Sequence, residues 1–138
     1  MGMRSYKGAG MILFHKDGDR LSVLLEKRSD NHTWAIPGGG YSPVKDKSLL
    51  DTAIRETLEE TGIQVREASL IRTYRLPLFT YAVYASESGS KVIPKKNWES
   101  DEIQWFHIKK LPKGINWMTM IELNDFIRRE DRICGQKS

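Results

Sequence analysis

The stretch from Trp34 to Ile63, W-A-I-P-G-G-G-Y-S-P-V-K-D-K-S-L-L-D-T-A-I-R-E-T-L-E-E-T-G-I, constrains this chain more than any other. Three glycines after a proline make a tight turn whose bare backbone other groups can approach closely. Ser48 with Asp51 three residues on is a capping-box start, and Gly62 is a C-terminal stop. The spacing therefore predicts a helix from Ser48 to about Thr61. On a wheel of about 100° per residue, Leu50, Ile54, Thr57, Leu58 and Thr61 gather on one side as the core stripe. Glu56, Glu59 and Glu60 gather on a different side, flanked by Arg55.

That acidic face is costly. Glu56 and Glu60 stand at i and i+4, Glu56 and Glu59 at i and i+3, and each like-charge pair costs a helix about 0.2–0.5 kcal/mol. All three lie at the C-terminal end, where the macrodipole disfavours anions. Arg55 offsets one charge by pairing with Glu59 at i+4, which leaves about two uncompensated. A hard divalent cation, completed by water and phosphate oxygens, suits that remainder. The same pattern also occurs as a solvated acidic helix end. The glycine turn ahead of it, whose carbonyls can approach a metal or phosphate, favours a site.

Elsewhere the pattern predicts strands and one more helix. Gly10 to Phe14 is an apolar run, Asp17-Gly18 a turn, and Leu21 to Glu26 a second strand, together a hairpin. Pro37 to about Asp46 is expected as loop. Ile63 to Val65, Leu70 to Tyr74, Phe79 to Ala85 and Glu102 to Ile108 are expected as strands, with Phe79 to Ala85 central because it is apolar on both faces. Ser86 to Trp98 reads as loop, Trp117 to Arg129 as an amphipathic helix, and the tail from Glu130 as frayed. Strands interspersed with two helices suggest a mixed sheet between helices.

At 138 residues one domain with a real core is expected. A net charge of +4 and a pI near 9.2 suit polyanionic ligands such as nucleotides, or no ligand at all, and nothing resembles RNP motifs, zinc fingers or a basic zipper. A single cysteine, Cys134, excludes a disulfide framework or a Cys-rich zinc site within the chain. No run approaches the roughly 18 apolar residues of a membrane span, and the first residues hold no signal-peptide core, so the cytoplasm is the expected location.

The stretch resembles the Nudix box, G-x5-E-x7-R-E-U-x-E-E-x-G-U, of the Nudix hydrolases. Arg55, Glu56, Glu59, Glu60, Gly62 and Ile63 match its second half, with Thr57 at the first U position. Its first Gly would fall on Tyr41 and its first Glu on Lys47, so the loop carries an insertion and Asp46 is the only nearby substitute. Trp34 to Gly39 resembles the family's lead-in, and Glu99 to Phe106 with Leu111-Pro112 its late strand. The resemblance spans about residues 8 to 129 and implies one Nudix-like domain over 1–138, an α/β (α+β) fold of the α/β/α sandwich type. It implies a hydrolase of phosphoric anhydride bonds using Mg2+ or Mn2+. The metal would be held by Glu56, Glu59, Glu60 and a carbonyl at Gly38, with Arg55 orienting the carboxylates. Glu102, three residues before Trp105, is with Glu59 a candidate for the base that takes a proton from water.

Arg28 could hold outer phosphates, beside Lys27, and Gly39 and Gly40 could accommodate substrate. Trp34, Tyr81 and Trp98 could stack on a base, His32 could touch substrate, and Lys91, Lys95 and Lys96 could steer phosphates; for each, a core or solvated role is the commoner one. The expected substrate is a nucleoside di- or triphosphate or related nucleotide. Alternatives are a dinucleotide polyphosphate, an RNA 5′ end, or a weakly active nucleotide-binding regulator on the same fold. Nothing in the sequence sets the oligomeric state.

Overall fold

The computed structural model describes residues 4–95 and 100–136. Its elements are β1 (Tyr6–Asp17), β2 (Arg20–Arg28), β3 (Trp34–Ala35), β4 (Gly38–Gly40), α1 (Leu49–Thr61), β5 (Ser69–Leu76), β6 (Phe79–Glu87), β7 (Ser100–His107) and α2 (Trp117–Gln136). The Asp17-Gly18 turn closes β1 onto β2 as an antiparallel hairpin, with Gly18 at φ 61°. The other edge of β1 pairs with β6 in parallel, and β5 pairs with β6 outside it, so the apolar β6 is interior as expected. β7 covers the far edge of β2.

β1 and β2 pair only from Asp17↔Arg20 to Phe14↔Val23, and then separate. The turn segment fills the opening: β3 lies on β2 at Glu26 and Lys27, and β4 lies on β1 at Gly8, Ala9 and Gly10. The amide of Met11 donates to the Pro37 carbonyl at 2.9 Å, locking the segment to β1. Glycine is required here by space. A Cβ on Gly38 would lie 2.3 Å from the Tyr81 hydroxyl and 2.6 Å from the Ala9 carbonyl oxygen. The triplet is thus a short strand, where loop was expected, because its bare backbone fits against β1.

The helices cover opposite faces of this mixed sheet. Ala9, Met11, Leu13, Leu24 and Ala82 pack with Ala53 of α1 and with Val65. Ile12, Phe14, Val23, Leu25, Val83 and Ala85 pack with Leu123 and Phe126 of α2. The result is the expected α+β sandwich, alternating along β1. No described helix is long and apolar enough to cross a membrane.

α1 begins and ends where its caps predict. The Ser48 hydroxyl accepts from the Asp51 amide, and Gly62 closes the helix at φ 75°. Its rotation differs from the expected core stripe: Leu58 is 42% exposed, while Thr52, Ala53, Thr57, Glu60 and Thr61 are buried. Small residues let the helix approach β1 closely, and the Thr57 and Thr61 hydroxyls are satisfied by donating to the carbonyls four residues back at 2.7 Å. Ile63 to Val65 forms no strand; β6 already has β1 and β5 on its two edges, and Val65 instead tucks into the core beside α1. The tail is not frayed at Glu130, because α2 continues to Gln136 and the Glu130 carboxylate lies 2.7 Å from Lys16 Nζ.

Asn116 starts α2, its side-chain oxygen accepting from the amides of Met118 at 2.9 Å and Thr119 at 3.4 Å. One turn on, Glu122 is 2% exposed, and burial pushes its carboxyl from 4.5 up to about 8. The folded state therefore prefers this group protonated. That contribution is complete below pH 4.5 and is lost as pH rises towards 8. Stability measured by denaturant titration should fall across this window, and Glu122→Gln should flatten the slope by an amount on the order of a few kcal/mol. Gly38→Ala should lower stability by about 1–3 kcal/mol, read as a lower thermal midpoint, because its Cβ meets backbone as well as a tyrosine.

Candidate active site

Arg55 is the centre of the arrangement. Its Nε and Nη2 each donate to Asp46 at 2.9 Å in a fork, Nη1 donates to Glu56 at 2.9 Å and to Glu59 at 3.3 Å, and Nη2 also reaches the Gly40 carbonyl at 3.0 Å. Asp46 is 4% exposed and also accepts from the Ser42 amide at 2.9 Å and the Thr52 hydroxyl at 2.8 Å. The guanidinium beside it, with these other donors, holds its carboxyl well below the usual range. Asp46 therefore closes the inserted loop onto α1 and receives the arginine. Lys47, on which the motif's first Glu would fall, is exposed, and its amide donates to Asp51 at 2.9 Å.

Two glutamates of α1 converge on the glycine turn. The Glu56 carboxyl lies against Gly39, where a Cβ would come within 2.5 Å of Glu56 Cδ. Glu60, 1% exposed, accepts from the Gly38 amide at 3.1 Å. Glu59, on the outer flank, has a side chain 47% exposed. A third carboxylate arrives from the sheet: Glu26 of β2 is fully buried, accepting from Arg28 at 3.1 Å and the Ser100 hydroxyl at 3.2 Å. Arg28 Nη1 is also 3.5 Å from Glu60. Burial raises both Glu26 and Glu60, and for Glu60 the charge of Glu26 adds to it.

Among the described residues no three His, Cys, Asp or Glu side chains are gathered, as they stand, into a finished ion cage. The chemistry of the set nevertheless fits a hard divalent cation. Its donors are all oxygen, and four glutamates face two guanidinium groups.

Beside the carboxylates a cavity of about 280 Å³ opens between Arg28, Gly38, Gly39, Tyr81 and the start of α2. Clefts elsewhere, of about 370, 400 and 540 Å³, share no residue with this cluster. Other expected residues are placed differently. Glu102 is exposed on β7 opposite Lys27, and accepts from Gln104 at 3.3 Å. Side chains alternate along β2, so Lys27 and its partner Glu102 face away from Glu26; the structure does not bring Glu102 to the carboxylates. His32 pairs with Asp101 at 3.0 Å in an exposed loop. Trp34 is a core residue packed edge-on against Phe106. The Lys95 side chain lies over Gly62. Lys96, Trp98 and Glu99 lie outside the described residues.

Glu26 was the acidic residue missed by sequence reasoning. The apolar run Val23-Leu24-Leu25 points to both sheet faces, so the strand is buried on both, and a Glu continuing it was the available signal.

A NUDIX domain family model matches residues 5–125. The chain is 30% identical over 123 residues to a putative 8-oxo-dGTP diphosphatase of Bacillus subtilis (strain 168), covering 87% of this chain and 78% of that protein. It is 34% identical over 79 residues to the asymmetrical bis(5′-nucleosyl)-tetraphosphatase of Mus musculus, about half of each chain at 52%. The NUDIX domain of Shewanella oneidensis NrtR, solved with ADP ribose, superposes with a TM-score of 0.78 over 93% of this chain and 90% of that one, at 17% identity, which is a likeness of fold. With its glycine turn, Arg55 and converging glutamates in this fold, the chain belongs to the NUDIX family of hydrolases of phosphoric anhydride bonds.

Proposed function

We propose that the chain is a divalent-metal-dependent pyrophosphohydrolase acting on a compact nucleotide, a nucleoside di- or triphosphate or a related diphosphate. One observation carries this reading: Glu56 and Glu60 meet at Gly38 and Gly39, on the rim of a cavity of about 280 Å³, close to the lower end of small-ligand pockets. That size suits one ring system better than the two of a dinucleotide. Similarity over 87% of the chain to a protein described as a diphosphatase of a nucleoside triphosphate supports the same reading.

Glu56, Glu60 and the Gly38 carbonyl would hold Mg2+ or Mn2+, with Glu59 beside them. Such an ion, when bound, lowers the pKa of water and offsets charge on the phosphates. Arg55 fixes Glu56 and Glu59 in position through its bonds to both. Glu59, half exposed and not committed to the glycine turn, takes the proton as water adds to phosphorus and the bridging P–O bond breaks. Arg28 lines the cavity and meets the outer phosphate, and the bare backbone of Gly39 and Gly40 lets the substrate come close.

A nucleotide panel with Mg2+, scored for released phosphate and pyrophosphate, tests this. No release from any member overturns it and leaves a nucleotide-binding regulator. Glu56→Gln and Glu60→Gln should lower the rate by at least about a hundredfold with the fold retained by circular dichroism. Asp46→Asn should lower it about 10- to 100-fold, because Arg55 loses a charged partner that positions Glu56. Lys47→Glu should change the rate less than about tenfold, since Asp46 already occupies the arginine; a larger fall would give Lys47 a role of its own.

A further inference from the structure

The second half of α2 carries a row of charge. Asp125, Arg128, Arg129 and Arg132 stand at i, i+3, i+4 and i+7, so the helix brings them to one side. That side meets β5. The Tyr74 hydroxyl donates to Asp125 at 2.5 Å, and Arg129 donates to the Leu70 carbonyl at 2.7 Å, where the register of β5 on β6 slips. Arg72 shares a strand face with Tyr74. Its guanidinium lies 3.6 Å from Asp125 and 5.6 Å from the centre of the Tyr74 ring. Between helix and strand opens a cleft of about 540 Å³, larger than the cavity of about 280 Å³ beside the carboxylates.

The cleft is floored by Ile71 and walled by four guanidinium groups, those of Arg72, Arg128, Arg129 and Arg132. Against them stand two carboxylates, Asp125 and Asp131, which leaves two positive charges over. Asp125 acts as a brace. It is hydrogen-bonded to Tyr74, while Arg72 and Arg128 lie 3.6 and 4.0 Å from it, beyond hydrogen-bond length. The arginines are thus held by charge, with their N–H groups left to donate. Their side chains are 62% and 76% exposed, so those donors face solvent. An anion in the cleft would offset the excess charge and take up these donors.

The shape of the charge selects among anions. A neighbouring cleft shares Ile71 and Arg129, but Glu67, Glu87 and Glu130 line it. The basic surface therefore stops at that boundary, and a long polyanionic strand running on would meet carboxylates. A compact ligand fits within the basic part. Each guanidinium fork matches two oxygens of a phosphoryl group, and phosphoryl groups in a row offer one such pair after another.

We propose that Arg72, Arg128, Arg129 and Arg132 form a second binding site, for an oligophosphate group of two or more phosphoryl units, either free or as the tail of a nucleotide. It is separate from the catalytic cavity, and its occupation needs no reaction there. The two places nevertheless share their supports. Glu122, which lines the catalytic cavity, lies one turn before Asp125 on α2, and Tyr81, which also lines it, is the register partner of Tyr74. A ligand bridging Arg72 and the α2 arginines ties β5 to that helix.

Calorimetry on the whole protein in EDTA at low ionic strength tests this, with pyrophosphate, tripolyphosphate, ATP and citrate as ligands. Pyrophosphate and tripolyphosphate should bind at least about tenfold more tightly than citrate, weaken with added salt and raise the thermal midpoint. Arg128→Ala and Arg132→Ala should each weaken both about tenfold, and neither residue lines the catalytic cavity. Arg128→Lys keeps the charge but not the fork, and should recover only part of the loss. ATP as tight as tripolyphosphate, and lost in the same variants, identifies a nucleotide tail; weaker ATP identifies the free ion. No binding at millimolar ligand, citrate as tight as pyrophosphate, or affinity unchanged in both alanine variants overturns the proposal. So does tighter binding of a short single-stranded RNA than of tripolyphosphate, which would mark a surface for a polymer backbone. Nucleotide hydrolysis without oligophosphate binding in EDTA would defeat this site and spare the hydrolase reading; binding without hydrolysis of any nucleotide would do the reverse.

Discussion

Arg55 joins three parts of the molecule. Its guanidinium takes the inserted loop through Asp46, the helix through Glu56 and Glu59, and the glycine strand through the Gly40 carbonyl. A planar fork with five donors can do this, whereas an ammonium would serve fewer partners and hold no fixed plane. Its own pKa moves up in response, chiefly because of Asp46. The charges of Glu56 and Glu59, crowded at the end of α1, are tolerable because this one cation bonds to both.

The inserted loop then reads as a variation with a defined limit. Tyr41 to Lys47 departs from the motif in register and loses its first glutamate, yet a carboxylate still reaches the arginine from Asp46. Asp46 is shorter than Glu and lies one residue earlier. Its loop is pulled tight, with the Asp46 amide on the Ser42 carbonyl at 2.8 Å and the Ser42 amide on the Asp46 carboxylate. The backbone path changed while the electrostatic contact stayed.

Much of the fold could be read from local chemistry. Ser48 and Gly62 bound α1 because a cap needs only its own side chain or its own φ, and Asp17-Gly18 announces a hairpin for the same reason. What needed the third dimension was less legible. Periodicity placed Leu58 with the core stripe, but how far the helix turns is decided by which residues are small enough to touch β1, and those are Ala53, Thr57 and Thr61. The spacing that nominated Glu102 counts residues along β7 without recording which face they take once β7 pairs with β2. Glu26 escaped because it looked like the polar side of an alternating strand; only in three dimensions do Arg28, Ser100 and Glu60 close over that side.

The parallel pairing of β1 with β6 has a consequence for the order of assembly. Every residue of the motif lies in the segment that this pairing closes, from the end of β1 to the start of β6. A nascent chain emerging from its N-terminus therefore carries the full set of glycines, arginine and glutamates before it has β6, the strand that supplies Tyr81 above Gly38. Until then β1 has an open edge and the glycine strand has no lid. Long-range closures of this kind are slow relative to hairpins and helices. The carboxylate cluster is thus completed only once β6 has been made, although its own residues precede that strand.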